Sequence, residues 1–212
     1  VAKPYMNDFV SAFAALFGTL AAYNVAQKTG KGQVVDVAQF EAMAQYMCGT
    51  YTSYTMAGAV TERSGNASPA FQPYDLFESK DGALVAIGAF GPGVYKRCIQ
   101  ALGFDLEYFN YKDCSSGPEA VSSEKGRELN AKVVEWCKAH TAAEIEQIME
   151  DAKVPCSKVN NAKDTFENEH FKSRGDWITY EDQTVGADIT AFGIAPKLSE
   201  TPGKVWRGAP SM

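Results

Sequence analysis

From Phe9 to Gln27 the chain carries no charged residue, and a single acid, Asp8, stands at the head of that stretch. A segment so apolar, nearly long enough to cross a bilayer, has to be covered on every side, by lipid or by protein. Ser11, Gly18, Thr19, Asn24 and Gln27 interrupt it, and neither a second span nor a one-sided basic flank accompanies it. In a chain that is 22% charged residues and 45% apolar ones, these features predict a helix buried in a protein core and no membrane partner. Asp8 then reads first as the N-cap of that helix, where a carboxylate can satisfy orphan amides.

The same totals limit the possible functions. A net charge of -6 leaves no basic patch dense enough for nucleic acid. The five cysteines, Cys48, Cys98, Cys114, Cys137 and Cys156, form no CxxC and are odd in number, which suggests free thiols in a reducing cytoplasm. The two histidines, His140 and His170, provide no metal-ligand spacing, so no metal site is expected. The start VAKPYMND lacks a basic region followed by a short apolar one, and no signal peptide is expected there.

Along the chain, Gly30 and Gly32 of KTGKG stop the first helix. QVVDVA (33–38) reads as a short strand, and residues 39–57 as a second buried helix. The Gly-, Ser- and Pro-rich stretch 58–73 is a loop. YDLFES and ALVAIGAF (83–90) form a predicted hairpin around Lys80-Asp81-Gly82, followed by a helix over 91–103. Residues 104–123 read as irregular. Amphipathic helices follow over 122–140 and 141–153, the second opened by a Thr141/Glu144 capping box. A strand over 154–160, short helical turns over 161–175 and two strands within 176–198 complete the pattern.

Several of these phrases, in order, resemble class III CoA-transferases of the CaiB/BaiF type. PYMNDFVSAFAALFGTLAAYNVAQKTGKGQVVDVAQFEAM is similar to the family's central segment, and RSGNASPAFQPYDLFESKDG to its next landmark. The ending APKLSETPGKVWRGAPSM, with its P-G-x-x-W-R-G-x-P, looks most like the carnitine CoA-transferase branch. The resemblance implies an α/β fold that is partial: buried helices of a large domain plus a small α/β domain, without the family's N-terminal Rossmann-like half. It divides the chain into 1–58 (large-domain segment with the catalytic Asp), a 59–73 linker, 74–198 (small domain) and 199–212 (return segment). It makes Asp8 the nucleophile, which is compatible with a place at a helix start, since the positive end of the helix favours an anion. Tyr5, Asn7, Arg63, Gly65 and Asn66 are implied substrate or CoA contacts, each also explicable as packing, capping or an ordinary loop residue. Gly91-Pro92-Gly93 is a second candidate for a glycine loop, with an ordinary turn the favoured reading there.

The implied activity is CoA transfer from an acyl-CoA to a carboxylic acid, carnitine-type by branch, through an aspartyl–acyl anhydride and an aspartyl–CoA thioester. Coenzyme A is a substrate there, and no permanently bound cofactor is implied. An interlocked homodimer is the implied assembly. A second reading, from another class, is a catalytically silent interaction module that keeps the small domain and lacks the CoA site.

Overall fold

The structure, a computed structural model, describes residues 5–47 and 49–210. It divides into two compact units, residues 1–63 and 64–212.

The first unit is helical. α1 (Met6–Thr29) ends on Gly30, whose left-handed φ of 71° lets its amide reach back to the Ala26 carbonyl at 2.8 Å. The predicted continuous helix over 39–57 is instead two, α2 (Gln39–Ala44) and α3 (Thr50–Ala57). α2 packs along α1. The segment 33–38 is extended but pairs with no strand, because this unit contains no second strand among the described residues to supply a ladder. It lies close to α1 at Gly18, where an added Cβ would come within 3.0 Å of Val35 Cγ1.

The expected burial of these helices is not observed. No described residue of α1, α2 or α3 is buried, and only 6% of the most apolar window of α1 is covered. The physical reason lies in the pattern itself: α1 is apolar around its whole circumference, and α2 together with the 33–38 segment can cover only part of it. α1 is also the one described helix long and apolar enough to cross a membrane by length and composition.

The second unit holds the core. β1 (Tyr74–Glu78), β2 (Leu84–Gly88) and β3 (Cys156–Lys158) form an antiparallel sheet in that order, with Phe77 opposite Val85 and Ile87 opposite Cys156. Three amphipathic helices supply the apolar stripes that meet it: α4 (Pro92–Ala101), α7 (Glu124–Ala139) and α8 (Ala142–Asp151). Between α4 and α7, where irregular chain was expected, stand α5 (Tyr111–Cys114) and α6 (Pro118–Ser122). Phe77, Val85, Ile87, Tyr95, Ile99, Leu129, Val133, Ile145 and Met149 form the centre of the core. Tyr95 is fully buried but keeps its hydroxyl satisfied by donating to the Phe109 carbonyl at 2.9 Å. The buried Gln72 ties the loop before β1 to α5 and α7, donating from Nε2 to the carbonyls of Cys114 and Gly126, both at 2.8 Å.

The remainder of this unit carries α9 (Ala162–Glu167), α10 (Glu169–Ser173) and a hairpin of β4 (Trp177–Asp182) and β5 (Ala187–Phe192). Trp177 and Phe192 pack edge to face, with ring centroids 5.3 Å apart. Asp182 caps the hairpin turn, accepting from the amides of Thr184 and Val185. The W-R-G segment reaches this turn: the Thr184 hydroxyl donates to the Ala209 carbonyl at 2.7 Å, and only a glycine at 208 leaves room for the Asp182 carboxylate.

Candidate functional site

Asp8 sits in the first turn of α1, not at its cap. The N-cap is Tyr5, with a φ of 76°, and the Asp8 and Phe9 amides both donate to the Tyr5 carbonyl, at 3.0 and 3.2 Å. A left-handed tyrosine costs of order 1 kcal/mol or more, so the helix starts from a strained residue. The Asp8 side chain is therefore released from capping. It is exposed, at the positive end of a 24-residue helix. Its Oδ1 accepts a hydrogen bond from Gln39 Nε2 at 2.8 Å. The Ser11 hydroxyl closes the turn below, donating to the carbonyls of Asn7 and Asp8 at 2.8 and 3.0 Å.

A groove of about 220 Å³ lies between α1 and α2, walled by Val10, Phe13, Phe17, Ala42 and Tyr46 among others; neither Asp8 nor Gln39 lines it. An exposed carboxylate at a helix start can attack an electrophilic carbonyl. The carboxamide oxygen of Asn7 is buried and has no partner among the described residues. Tyr5, Asn7 and Asp8 thus lie together at one helix start. Arg63 is exposed at the end of the first unit, whereas Gly65 and Asn66 open the second. Gly65 takes a φ of 70°, and Asn66 borders a cavity of about 560 Å³ over the sheet with Tyr74, Leu76, Gly88 and Pro155. Gly91, at φ 77°, turns the chain into α4 with Pro92 as the first helical residue, which is a structural role.

Other reactive side chains are placed for structure. Cys98, Cys114, Cys137 and Cys156 are free, and Cys48 lies outside the described residues. Burial pushes the Cys98 and Cys137 thiols up to about 12 and that of Cys156 to about 11, which leaves almost no thiolate near neutral pH. His140 terminates α7, stacked on Trp136 at 4.1 Å between ring centroids with Nδ1 against the Trp136 carbonyl. Among the described residues no group of His, Cys, Asp or Glu could hold a metal ion. Gln39 escaped the sequence reading entirely. It lies 31 positions from Asp8, and nothing in QFEAM distinguishes it from an ordinary first residue of a helix.

The chain is similar to several CoA-transferases. The bile acid CoA-transferase BaiK of Clostridium scindens is 31% identical over 98% of this chain and 48% of its own length. The succinyl-CoA–D-citramalate CoA-transferase of Chloroflexus aurantiacus is 29% identical over 96% of this chain and 50% of its own. The succinyl-CoA:mesaconate CoA-transferase of Haloarcula marismortui is 32% identical over 93% and 48%. The fold matches a CAIB/BAIF family protein from Brucella suis, with a TM-score of 0.73 at 22% identity over 100% of this chain and 53% of that one. The Rv3272 protein of M. tuberculosis gives a TM-score of 0.75 at 16% identity, over 96% and 52%. The chain spans about half the length of the curated relatives it matches. Since the model of CoA-transferase family III also matches residues 1–212, the whole sequence, the chain belongs to CoA-transferase family III.

Proposed function

We propose that this chain carries the nucleophile of a CoA-transferase that moves CoA from an acyl-CoA to a carboxylic acid, and that Asp8 is that nucleophile. The observation that supports it is the carboxylate of Asp8, exposed in the first turn at the positive end of α1 and not used as its cap. One carboxylate oxygen attacks the thioester carbon, the C–S bond breaks, and CoA leaves as the thiolate, giving an aspartyl–acyl anhydride. The thiolate then attacks the aspartyl carbonyl and expels the acyl carboxylate, leaving an aspartyl–CoA thioester. The incoming acid repeats the two exchanges in reverse and departs as its CoA ester. Every step trades a carboxylate for a thiolate, so no proton has to be moved.

The P-G-x-x-W-R-G-x-P ending supports a carnitine-type acceptor, whereas the named relatives act on bile acids, D-citramalate and mesaconate. The exposed faces of the first unit support assembly as a homodimer, and the free described thiols support a cytoplasmic location. Turnover by these 212 residues alone is expected to be slow, because contacts to the remote nucleotide of CoA help drive chemistry at the thioester.

The experiment is to mix the chain with succinyl-CoA, butyrobetainyl-CoA or a bile-acyl-CoA, trap with hydroxylamine and locate the hydroxamate by mass spectrometry. Label on Asp8, lost in Asp8→Asn, is the expected result. Label elsewhere, or undiminished in Asp8→Asn, overturns the assignment. An absence of label with every thioester favours the silent interaction module.

A further inference from the structure

We propose that Gln39 is the positioning residue for Asp8: its side-chain amide holds one carboxylate oxygen and so presents the other to the thioester. The inference rests on the reading of Asp8 as nucleophile. A carboxylate at the end of a single methylene turns easily, because the torsion that orients it is broad and two-fold. At an exposed helix start nothing local would fix it. The hydrogen bond from Gln39 Nε2 to Oδ1, at 2.8 Å, supplies the missing restraint.

The fold brings this donor into place. Gly30 ends α1 and the extended segment 33–38 returns along it, close to Gly18, so that α2 begins opposite the N-terminal part of α1. Gln39 is the first residue of α2, where its own backbone amide is not part of the helical ladder. Its side chain therefore points from a helix that packs against the nucleophile's own helix. Ala42 of α2, with Gln45 and Tyr46 just past its end, lines the groove between the two helices. One short helix thus packs against α1 and supplies the donor to Asp8.

The chemistry favours a neutral donor at this place. A lysine would compete as an amine nucleophile for the anhydride, and an acid would repel the carboxylate. An amide fixes Oδ1 without carrying charge, and Oδ2 is left to attack. Such orientation matters for rate more than for binding, since misplacing a reacting atom by about 1 Å costs roughly 100-fold.

The test uses the full chain with Gln39→Leu, which keeps much of the volume and removes the donor, and Gln39→Asn, which keeps the amide one methylene short. Two readouts are taken. The first is the rate of Asp8 acylation by acyl-CoA in a single turnover, with the concentration giving half the maximal rate. The second is the Gln39 side-chain amide resonance in the 15N-labelled chain. Gln39→Leu is expected to lower the maximal rate roughly 10–100-fold with the half-saturating concentration unchanged within about two-fold. Gln39→Asn is expected to fall with it. The Gln39 amide resonance is expected to shift in Asp8→Ala. An unaltered acylation rate in Gln39→Leu overturns the positioning role, as does an amide resonance indifferent to Asp8→Ala. If Asp8→Asn is labelled as fully as wild type, the nucleophile reading fails instead, and the amide resonance then decides the Gln39–Asp8 contact by itself.

Discussion

Asp81, in the turn between β1 and β2, accepts a hydrogen bond at 3.0 Å from the backbone amide of Ala142, the first residue of α8, 61 positions away. The same oxygen accepts from the Ser79 hydroxyl at 2.6 Å. The hairpin turn therefore helps cap a helix from elsewhere in the chain, alongside the Thr141/Glu144 capping box.

These bonds, that from Ser79 first and then that from Ala142, hold the Asp81 carboxyl below the usual carboxylate range. A lowered value in the folded state means that the unfolded chain binds the proton more tightly. The contribution to stability is therefore present above the ordinary value near pH 4, and is lost as pH falls through the lower folded value. In urea unfolding, Asp81→Asn should be less stable than wild type at pH 7, and the gap should narrow as pH drops toward 3. A gap that stays constant over that range would refute this account.

On the alkaline side the thiols act in the opposite sense. Burial raises Cys98 and Cys137 to about 12 and Cys156 to about 11. A raised folded value gives stability that is complete below the ordinary thiol value near 8.5 and declines as pH rises through the folded values. The urea midpoint should be flat from pH 7 to about 8 and fall steadily above it. A thiol reagent at pH 8 should react with Cys156 in the folded chain roughly 100-fold more slowly than with a free cysteine. After unfolding without reductant it should count close to the five cysteines of the sequence. A count of three or fewer would contradict free thiols.

Two glycines on helices should respond oppositely to the same change. A Cβ on Gly126, in α7, would stand 2.2 Å from the Ala120 carbonyl oxygen and 2.5 Å from that of Val121. Those are backbone atoms of α6 and cannot rotate away, so Gly126→Ala should cost about 1–3 kcal/mol and lower Tm by several degrees. Gly93, in α4, has only Arg97 Nη1 near such an atom, at 3.8 Å. Gly93→Ala should be neutral or stabilising by up to about 1 kcal/mol. Calorimetry of the two variants, each against wild type, decides the point.

What could be read in advance was local. The Lys80-Asp81-Gly82 turn, the Thr141/Glu144 box and the periodicity of 122–140 each place their signal within a few residues, and each corresponds to an observed element. Family membership was equally legible, because its phrases are contiguous. The helices α5 and α6 were not, since each has five residues or fewer and depends on remote partners such as Gln72, whose Nε2 donates to the Cys114 carbonyl. At the candidate site, PYMND pointed to Asp8, but its place within the helix was misread: capping passed to Tyr5, a residue with no capping side chain. The Gln39 contact spans 31 positions and leaves no periodic trace. The apolar pattern of α1 required a cover, and it does not say which surface provides it.

That uncovered pattern gives the last prediction. Phe9, Phe13, Phe17 and Leu20 of α1 are 62%, 66%, 70% and 60% exposed, and Phe40, Tyr51 and Tyr54 of α2 and α3 are exposed as well. Apolar patches larger than a few hundred Å² are rare on soluble monomers, because each Å² left in water forgoes about 25 cal/mol. The 212-residue chain is therefore expected to self-associate at micromolar concentration, and sedimentation velocity should find a dimer or larger species. Replacing Phe13 and Phe17 together by Gln should weaken the association at least 10-fold. These two side chains also wall the groove between α1 and α2. A wild-type chain that sediments as a 23.0 kDa monomer would refute the association.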